Sequence, residues 1–143
     1  MNTLEPRSAR SLVGHGLVVI LLGLLIGFPY ALVLTGSMAG SERAWRMAHL
    51  EGVLNGLLLV AIGAARESLA LSERESRWLA WALILTAYGN VIASAIGAAV
   101  GERGLSPEPP LANLVVYAGF IAAVVAVLFA IGLAVRAAFR SNS

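Results

Sequence analysis

The stretch LVGHGLVVILLGLLIGFPYALVL, residues 12–34, contains no charged side chain. A helix rises about 1.5 Å per residue, so a run of this length can cross a hydrocarbon core about 30 Å thick. Three further apolar runs follow, at 47–65, 78–100 and 111–135. We therefore predict an all-α integral membrane protein: a bundle of four transmembrane helices that forms a single membrane domain over residues 1–143.

The overall composition agrees with a membrane protein. Hydrophobic residues make up 59% of the chain and charged residues 13%, and the mean hydropathy is +0.84, which is too apolar for a soluble domain of 143 residues. The net charge of +2, without any lysine, provides no basic stripe, so we expect no nucleic-acid partner. The absence of cysteine excludes disulfides, thiolate metal sites and cysteine nucleophiles.

The arginines predict how the chain is oriented in the membrane. The first apolar run is longer than the hydrophobic part of a signal peptide, so we expect it to be retained as a helix. If the helices alternate in direction, most arginines fall on one side: Arg7, Arg10, Arg66, Arg74, Arg77, Arg136 and Arg140. By the positive-inside rule, both termini are expected in the cytoplasm, and the protein is expected in the inner (cytoplasmic) membrane with multiple passes.

Small residues recur at helical spacing and predict where the helices pack closely. The stripes are Gly16, Gly23 and Gly27 in the first helix, Gly52, Gly56 and Gly63 in the second, and Asn90, Ser94, Gly97 and Gly101 in the third. Small residues allow the backbones of membrane helices to approach each other. In the third helix, the polar members of the stripe also predict a hydrogen bond to another helix.

Polar side chains open the second helix, at His49, Glu51 and Asn55. Such groups are costly in lipid and usually face a partner, a cavity or a ligand. A structural interpretation bonds His49 to a backbone carbonyl and pairs Glu51 with Arg43 or Arg46. A functional interpretation makes His49 a neutral imidazole that coordinates a metal or heme iron. The sequence by itself leaves both interpretations open.

The second histidine of the chain, His15, is expected near the opposite face of the membrane from His49. A metal site that uses both histidines of one subunit is therefore not expected. If iron is bound, a single histidine should be the protein ligand, which leaves the other coordination position open.

Three segments, taken in order, resemble one known family. Gly14-His-Gly16 opens the first helix, the second helix contains Ala-His-Leu-Glu-Gly-Val-Leu-Asn-Gly (residues 48–56), and Tyr88-Gly-Asn90 lies in the third helix. Together they resemble the hydroxylaminobenzene mutases and styrene oxide isomerases, which are small membrane isomerases with four helices. The His-Leu-Glu-Gly form resembles the mutase branch more closely.

The resemblance implies a homotrimer with heme b between the subunits, in which the ferric iron acts as a Lewis acid. It implies that His49 is the axial ligand of the heme iron and that Asn55 and Asn90 are catalytic residues in the substrate pocket. The isomerase pattern places a tyrosine where this chain has Ser94, which argues against epoxide isomerisation. Ser94, the nearby Tyr88 and Glu51, which could assist proton transfer, are secondary candidates.

The function predicted first is the conversion of hydroxylaminobenzene to 2-aminophenol, an intramolecular transfer of a hydroxy group. An alternative within the same class is an epoxide isomerase of the styrene oxide type, which gives an aldehyde. Two alternatives from other classes are a small proton-coupled drug transporter that uses Glu51 and a heme electron-transfer subunit. For the enzyme, the expected partners are a small aromatic substrate and the lipid bilayer.

Overall fold

The computed structural model describes residues 5–140, which form four long helices and one short 3-10 turn. The helices are α1 (Glu5–Leu34), α2 (Glu42–Ala64), α3 (Glu73–Val100) and α4 (Leu111–Ala138), with the 3-10 turn at Arg66–Ser68. Each of these four helices is long and apolar enough to cross a membrane. The predicted class, an all-α membrane protein with four transmembrane helices, is confirmed.

The helices are longer than the apolar runs that predicted them. The predicted starts at residues 12, 47 and 78 become Glu5, Glu42 and Glu73, and the predicted end of the fourth helix at residue 135 becomes Ala138. The predicted end of the second helix at residue 65 falls at Ala64. The difference arises because hydropathy marks the part of a helix that suits lipid, whereas capping marks where the helix begins.

The starts of α2 and α3 are both capped by serine. Ser41 caps α2, because its hydroxyl accepts a hydrogen bond from the backbone N–H of Ala44 at 3.3 Å. Ser72 and Glu75 form a capping box at the start of α3, in which each side chain accepts from the other residue's backbone N–H. These caps satisfy N–H groups that the first turn of a helix leaves free, so the polar ends stay helical beyond the apolar core.

Helices α1 and α2 touch backbone to backbone along the predicted glycine stripes. A Cβ added to Gly52 would lie 2.3 Å from the Cα of Gly23, and one added to Gly56 would lie 2.6 Å from the carbonyl oxygen of Gly16. Neither distance is compatible with a side chain. The prediction that these glycines form close-packing faces is therefore confirmed.

The helix α3 packs against each of the other three helices. Its leucines Leu79 and Leu83 are fully buried with Leu12 of α1, Leu59 of α2 and Ala130 of α4. A second small-residue contact, which the glycine stripes did not predict, joins α3 to α4: a Cβ on Gly119 would lie 2.9 Å from the Cβ of Ala93. The position of α3 at the centre explains why Asn90 on this helix can reach α2.

The stripe predicted on α3 is correct only in part. Gly97 does pack closely, because a Cβ there would lie 2.7 Å from the carbonyl oxygen of Glu102 and 3.4 Å from Val116. The prediction is wrong for Gly101, which ends the helix in the left-handed conformation, with φ of 76°, and a Cβ on it would meet no atom within 4 Å. Glycine is favoured there by its backbone freedom rather than by packing.

The start of α3 and the end of α4 lie at the same end of the bundle. Glu75 forms ion pairs with Arg136 and Arg140, and Arg140 also donates to the carbonyl of Ala70 at 3.2 Å. The start of α1 belongs to this end as well, because Ser11 lines a small pocket with Arg77. The cytoplasmic placement of this end stays a prediction, and the termini themselves, residues 1–4 and 141–143, lie outside the described residues.

Candidate functional site

His49 is held by a backbone carbonyl of the neighbouring helix. Its Nδ1–H donates to the carbonyl oxygen of Gly23 on α1 at 2.8 Å, and the side chain is half-buried. The glycine contact at Gly52 brings the two helices close enough for this bond. A neutral imidazole that donates from Nδ1 keeps its lone pair on Nε2, and that nitrogen is then available as a ligand.

The ring of Tyr30 lies parallel to the imidazole of His49. The ring centroids are 6.3 Å apart, with 19° between the planes. Sequence reasoning did not select Tyr30. Its position continues the stripe of Gly23 and Gly27 at helical spacing on α1, and this spacing is the signal that could have identified it.

Asn55 bonds to Glu51 on the same helix. Its Nδ2 group donates to the carboxylate oxygen Oε2 of Glu51 at 2.7 Å and to the backbone carbonyl of Glu51 at 2.9 Å. Asn55 is buried, with 8% of its surface exposed, and Glu51 is half-buried. Both N–H groups of this amide are therefore engaged, and they orient the carboxylate.

Asn90 on α3 completes a chain of three polar side chains. Its Nδ2 group lies 3.4 Å from Oδ1 of Asn55, which makes a long hydrogen bond between α3 and α2. The hydrogen bond to another helix that was predicted from the α3 stripe is confirmed. Within residues 5–140, the second N–H and the carbonyl of the Asn90 amide have no hydrogen-bond partner in the protein. Asn90 is thus the amide with capacity left for a ligand.

A cavity of about 540 Å³ begins one helical turn from the asparagines. Glu51 and Ser94 contribute its deep polar groups, Met47 and Phe120 contribute apolar wall, and exposed residues such as Arg43 surround its mouth. Ser94 is itself buried, with 8% of its surface exposed. The cavity therefore links the polar chain Asn90–Asn55–Glu51 to the outside of the bundle.

The structural interpretation that pairs Glu51 with Arg43 or Arg46 is not borne out. Within residues 5–140, Glu51 forms no ion pair with Arg43 or Arg46, and its carboxylate accepts from Asn55 instead. Both arginines are exposed. An exposed ion pair gains little in free energy and restricts a long side chain, whereas the amide of Asn55 lies on the same helix face as the carboxylate.

The predicted site residues fall on two faces of α2. Asn55 and Glu51 lie on the face toward α3, where Asn90 lies, whereas His49 bonds to α1 and stacks on Tyr30. The structure thus brings Glu51, Asn55 and Asn90 together, with Ser94 one turn away. It does not bring His49 to them within one chain.

Tyr88 lies apart from this cluster. Its hydroxyl shares a hydrogen bond of 3.1 Å with Nδ1 of His15 on α1.

The two histidines are separated in depth by less than the prediction implied, which placed them at opposite faces of the membrane. His49 is level with Gly23, and His15 is about 12 Å away along α1 at about 1.5 Å per residue. This separation still prevents both histidines from binding one metal ion.

No group of three or more His, Asp or Glu side chains that could hold a metal ion is found among the described residues. A heme does not require such a group, because the porphyrin supplies the other ligands and one protein side chain can suffice. His49 is therefore compatible with a heme site even though it stands alone.

The comparisons with known proteins agree on one family. A family model described as styrene oxide isomerase matches residues 8–139. The chain is 32% identical to hydroxylaminobenzene mutase HabB of Ectopseudomonas oleovorans over 96 residues, which cover 67% of this chain and 55% of that protein. It is 28% identical to styrene-oxide isomerase of Pseudomonas fluorescens over 94 residues, which cover 57% of this chain and 56% of that protein. The matched part thus spans about half the length of these relatives.

Proposed function

Because the chain belongs to the styrene oxide isomerase family, we propose that it is an isomerase of the inner membrane that converts hydroxylaminobenzene to 2-aminophenol. The observation that carries this proposal is the chain of contacts Asn90–Asn55–Glu51 beside a cavity with apolar walls. The carboxylate of Glu51 lines this cavity, and the two amides lie about one helical turn beyond its wall. The proposed reaction uses the carboxylate, the amides and the space for an aromatic ring.

His49 is the residue that would hold heme b. Its Nδ1–H is fixed by the Gly23 carbonyl, so Nε2 is the nitrogen free for the iron, and the parallel ring of Tyr30 restrains the imidazole. This donor set fits a b-type heme with one histidine ligand. When bound, the ferric heme would supply a Lewis acid that stabilises negative charge on the leaving oxygen.

The separation of His49 from the asparagines supports a site shared between subunits. In one chain, His49 lies toward α1, and Asn55 and Asn90 lie between α2 and α3. A ligand that contacts His49 and also the two asparagines would be enclosed more easily by the histidine of one copy and the asparagines of another. We therefore propose that heme lies between subunits, and we propose a homotrimer because the family resemblance implies three subunits.

Asn90 is proposed as the catalytic amide, and Asn55 as the residue that positions it. The free N–H of Asn90 can donate to the oxygen of hydroxylaminobenzene while the N–O bond breaks, which stabilises the charge developing there without adding a charge to a dry site. Asn55 has both N–H groups bound to Glu51 and accepts from Asn90 through Oδ1. It therefore aligns Asn90 and Glu51 with each other.

Glu51 is proposed to move the proton that the reaction requires. When hydroxylaminobenzene becomes 2-aminophenol, the N–O bond breaks, a C–O bond forms at the ring carbon ortho to the nitrogen-bearing carbon, and one proton passes from that ortho carbon to the nitrogen. The carboxylate of Glu51 lines the cavity and is oriented by Asn55 at 2.7 Å. It can accept the ring proton and return it to the nitrogen, so no net proton is exchanged.

The epoxide reaction is the second candidate, because the chain is also similar to a styrene-oxide isomerase. Ser94 is the residue that distinguishes the hydroxylamine substrate from the epoxide substrate in this proposal. It lies in the cavity wall one turn from Asn90, and the isomerase pattern has a tyrosine at this position. A serine hydroxyl reaches less far into the cavity than a tyrosine hydroxyl, and we rank the hydroxylamine substrate first because of this difference from the isomerase pattern.

One series of measurements tests the proposal. Absorption spectra of the protein purified in detergent, both oxidised and dithionite-reduced, together with a pyridine hemochrome assay, should show stoichiometric high-spin heme b. Anaerobic assays should then form 2-aminophenol from hydroxylaminobenzene faster than phenylacetaldehyde from styrene oxide. A low-spin heme with both axial positions filled would indicate electron transfer. Protein without heme, even after hemin is supplied during expression, would remove the Lewis-acid mechanism.

A further inference from the structure

A long apolar groove runs along the outer surface of α3 and α4, away from the candidate site. It has a volume of about 1050 Å³. Its walls include Trp78, Trp81, Leu85 and Tyr88 of α3 and Val125 and Phe129 of α4. Large side chains at its edge are well exposed, with 70% of the Trp81 surface and 51% of the Phe129 surface uncovered by this chain. In a membrane, such a groove is filled by lipid or by protein.

The end of the groove is basic. A second depression of about 370 Å³ is lined by Arg74, Arg77, Trp78 and Trp81, so it shares both tryptophans with the apolar groove. Both arginines are exposed, and neither forms an ion pair with a carboxylate whose side chain the structure describes. Among the side chains that the structure describes, two positive charges thus stand without an anionic partner where the apolar groove begins.

The length of the groove matches one leaflet of a bilayer. From Trp78 to Tyr88, α3 rises about 15 Å at about 1.5 Å per residue, which is half of a hydrocarbon core about 30 Å thick. Tryptophan is enriched at the level of the lipid headgroups. An acyl chain could thus occupy the groove while its headgroup lies beside the arginines.

From these features, we propose that this surface binds an anionic phospholipid: an acyl chain lies in the groove of α3 and α4, and the phosphate lies between Arg74 and Arg77. Arginines at the membrane surface attract anionic lipid headgroups, by about 1 kcal/mol for each charge. A second copy of the chain would also cover the apolar walls, and the test below distinguishes it from lipid. A phosphate headgroup matches the two arginines in charge and an acyl chain matches the apolar walls, so one anionic lipid satisfies both parts of the surface.

Tryptophan fluorescence can test this proposal without heme or turnover. The chain has three tryptophans, and Trp45 lies at the other end of the bundle, at the start of α2. A Trp45→Phe variant leaves only Trp78 and Trp81 to report on the groove. This protein is reconstituted in phosphatidylcholine vesicles that contain either dibrominated phosphatidylglycerol or dibrominated phosphatidylcholine, whose bromine atoms quench nearby tryptophans.

We expect the brominated phosphatidylglycerol to reach half-maximal quenching at a mole fraction about 30-fold lower than the brominated phosphatidylcholine, since each arginine contributes a factor of about 5. Adding Arg74→Gln and Arg77→Gln should abolish the difference between the lipids while quenching by phosphatidylcholine persists. Adding Arg10→Gln and Arg46→Gln, which removes the same charge from other exposed positions, should preserve the difference.

Two results would overturn the proposal. Equal quenching by the two lipids in the Trp45→Phe protein would mean that the site does not select anionic headgroups. Little quenching by either lipid at saturating mole fraction would mean that protein, such as a second copy of this chain, covers the groove. Because the first comparison uses intact arginines, a folding defect in the arginine variants does not affect it.

Discussion

His49 donates a hydrogen bond to the carbonyl of Gly23 at 2.8 Å, across an interface so tight that a Cβ on Gly52 would lie 2.3 Å from the Cα of Gly23. The close approach of α1 and α2 thus also fixes the orientation of the imidazole. A rigid imidazole with a defined tautomer is what a metal centre requires from its ligand. The glycine stripes support the proposed heme site by fixing this histidine.

We predict that His49→Ala abolishes heme retention, because it removes the proposed axial ligand. His15→Ala is the matched control. His15 bonds to Tyr88 and lies about 12 Å along α1 from Gly23, the partner of His49. Its loss should therefore leave the heme content nearly unchanged. The hemochrome assay on purified protein measures both. Equal loss of heme in the two variants would contradict the assignment of the ligand.

We predict that Gly52→Ala destabilises the protein by about 1–3 kcal/mol or more, because the added methyl group overlaps the backbone of Gly23. Gly132→Ala is the control: this glycine is also helical, and a Cβ there meets nothing within 4 Å. Replacing it should be neutral or stabilising by about 0.4–1 kcal/mol. Thermal unfolding in detergent compares them, and a tolerated Gly52→Ala would refute the tight interface.

We predict that Asn90→Ala lowers kcat by about 10²–10³-fold, the usual loss when a donor to a developing negative charge is removed. Asn113→Ala is the control. Asn113 is buried, whereas Asn90 is half-buried, and Asn113 holds the 101–110 loop by bonding to Gly104 at 2.9 Å and to the carbonyl of Glu108 at 2.8 Å. Its replacement should lower thermal stability and spare kcat. If both variants lose activity in proportion to stability, Asn90 has only a structural role.

We predict that Glu51→Gln lowers kcat by about 10²–10⁴-fold with heme content unchanged, since the amide keeps an acceptor for Asn55 but cannot accept the ring proton. Substrate deuterated on the ring provides a second reading, because the isotope effect should increase when proton removal becomes limiting. Glu42→Gln, at an exposed position on the same helix, should behave as wild type. A wild-type rate in Glu51→Gln would exclude Glu51 as the proton carrier.

We predict that Glu75→Gln lowers the melting temperature in detergent and that this loss is smaller at high salt. Glu75 pairs with both Arg136 and Arg140, and screening weakens such pairs in the wild type as well. Glu73→Gln is the control from the same helical turn, because Glu73 is exposed and forms no ion pair among the described residues. Identical melting curves for the two variants would show that the ion pairs do not stabilise the bundle.

Much of the site could be expected from residue type and spacing. Glu51 and Asn55 are four positions apart, so they share a helix face whatever surrounds them, and their hydrogen bond follows from that geometry. The hydrogen-bond partner of Tyr88 does not follow from the sequence in this way. It lies two positions before Asn90 and therefore points elsewhere on α3, toward His15, which the motif Tyr-Gly-Asn does not reveal.

The sequence by itself determined the four membrane helices and the glycine faces on which α1 and α2 meet, because lipid selects apolar runs and the helical period aligns residues without reference to other helices. Only the tertiary structure decided that His49 bonds to Gly23, that Asn90 reaches Asn55 and that Glu51 accepts from Asn55 rather than pairing with an arginine of its own helix. These partners depend on the rotation and depth of each helix relative to its neighbours. The packing of side chains from all four helices sets both quantities.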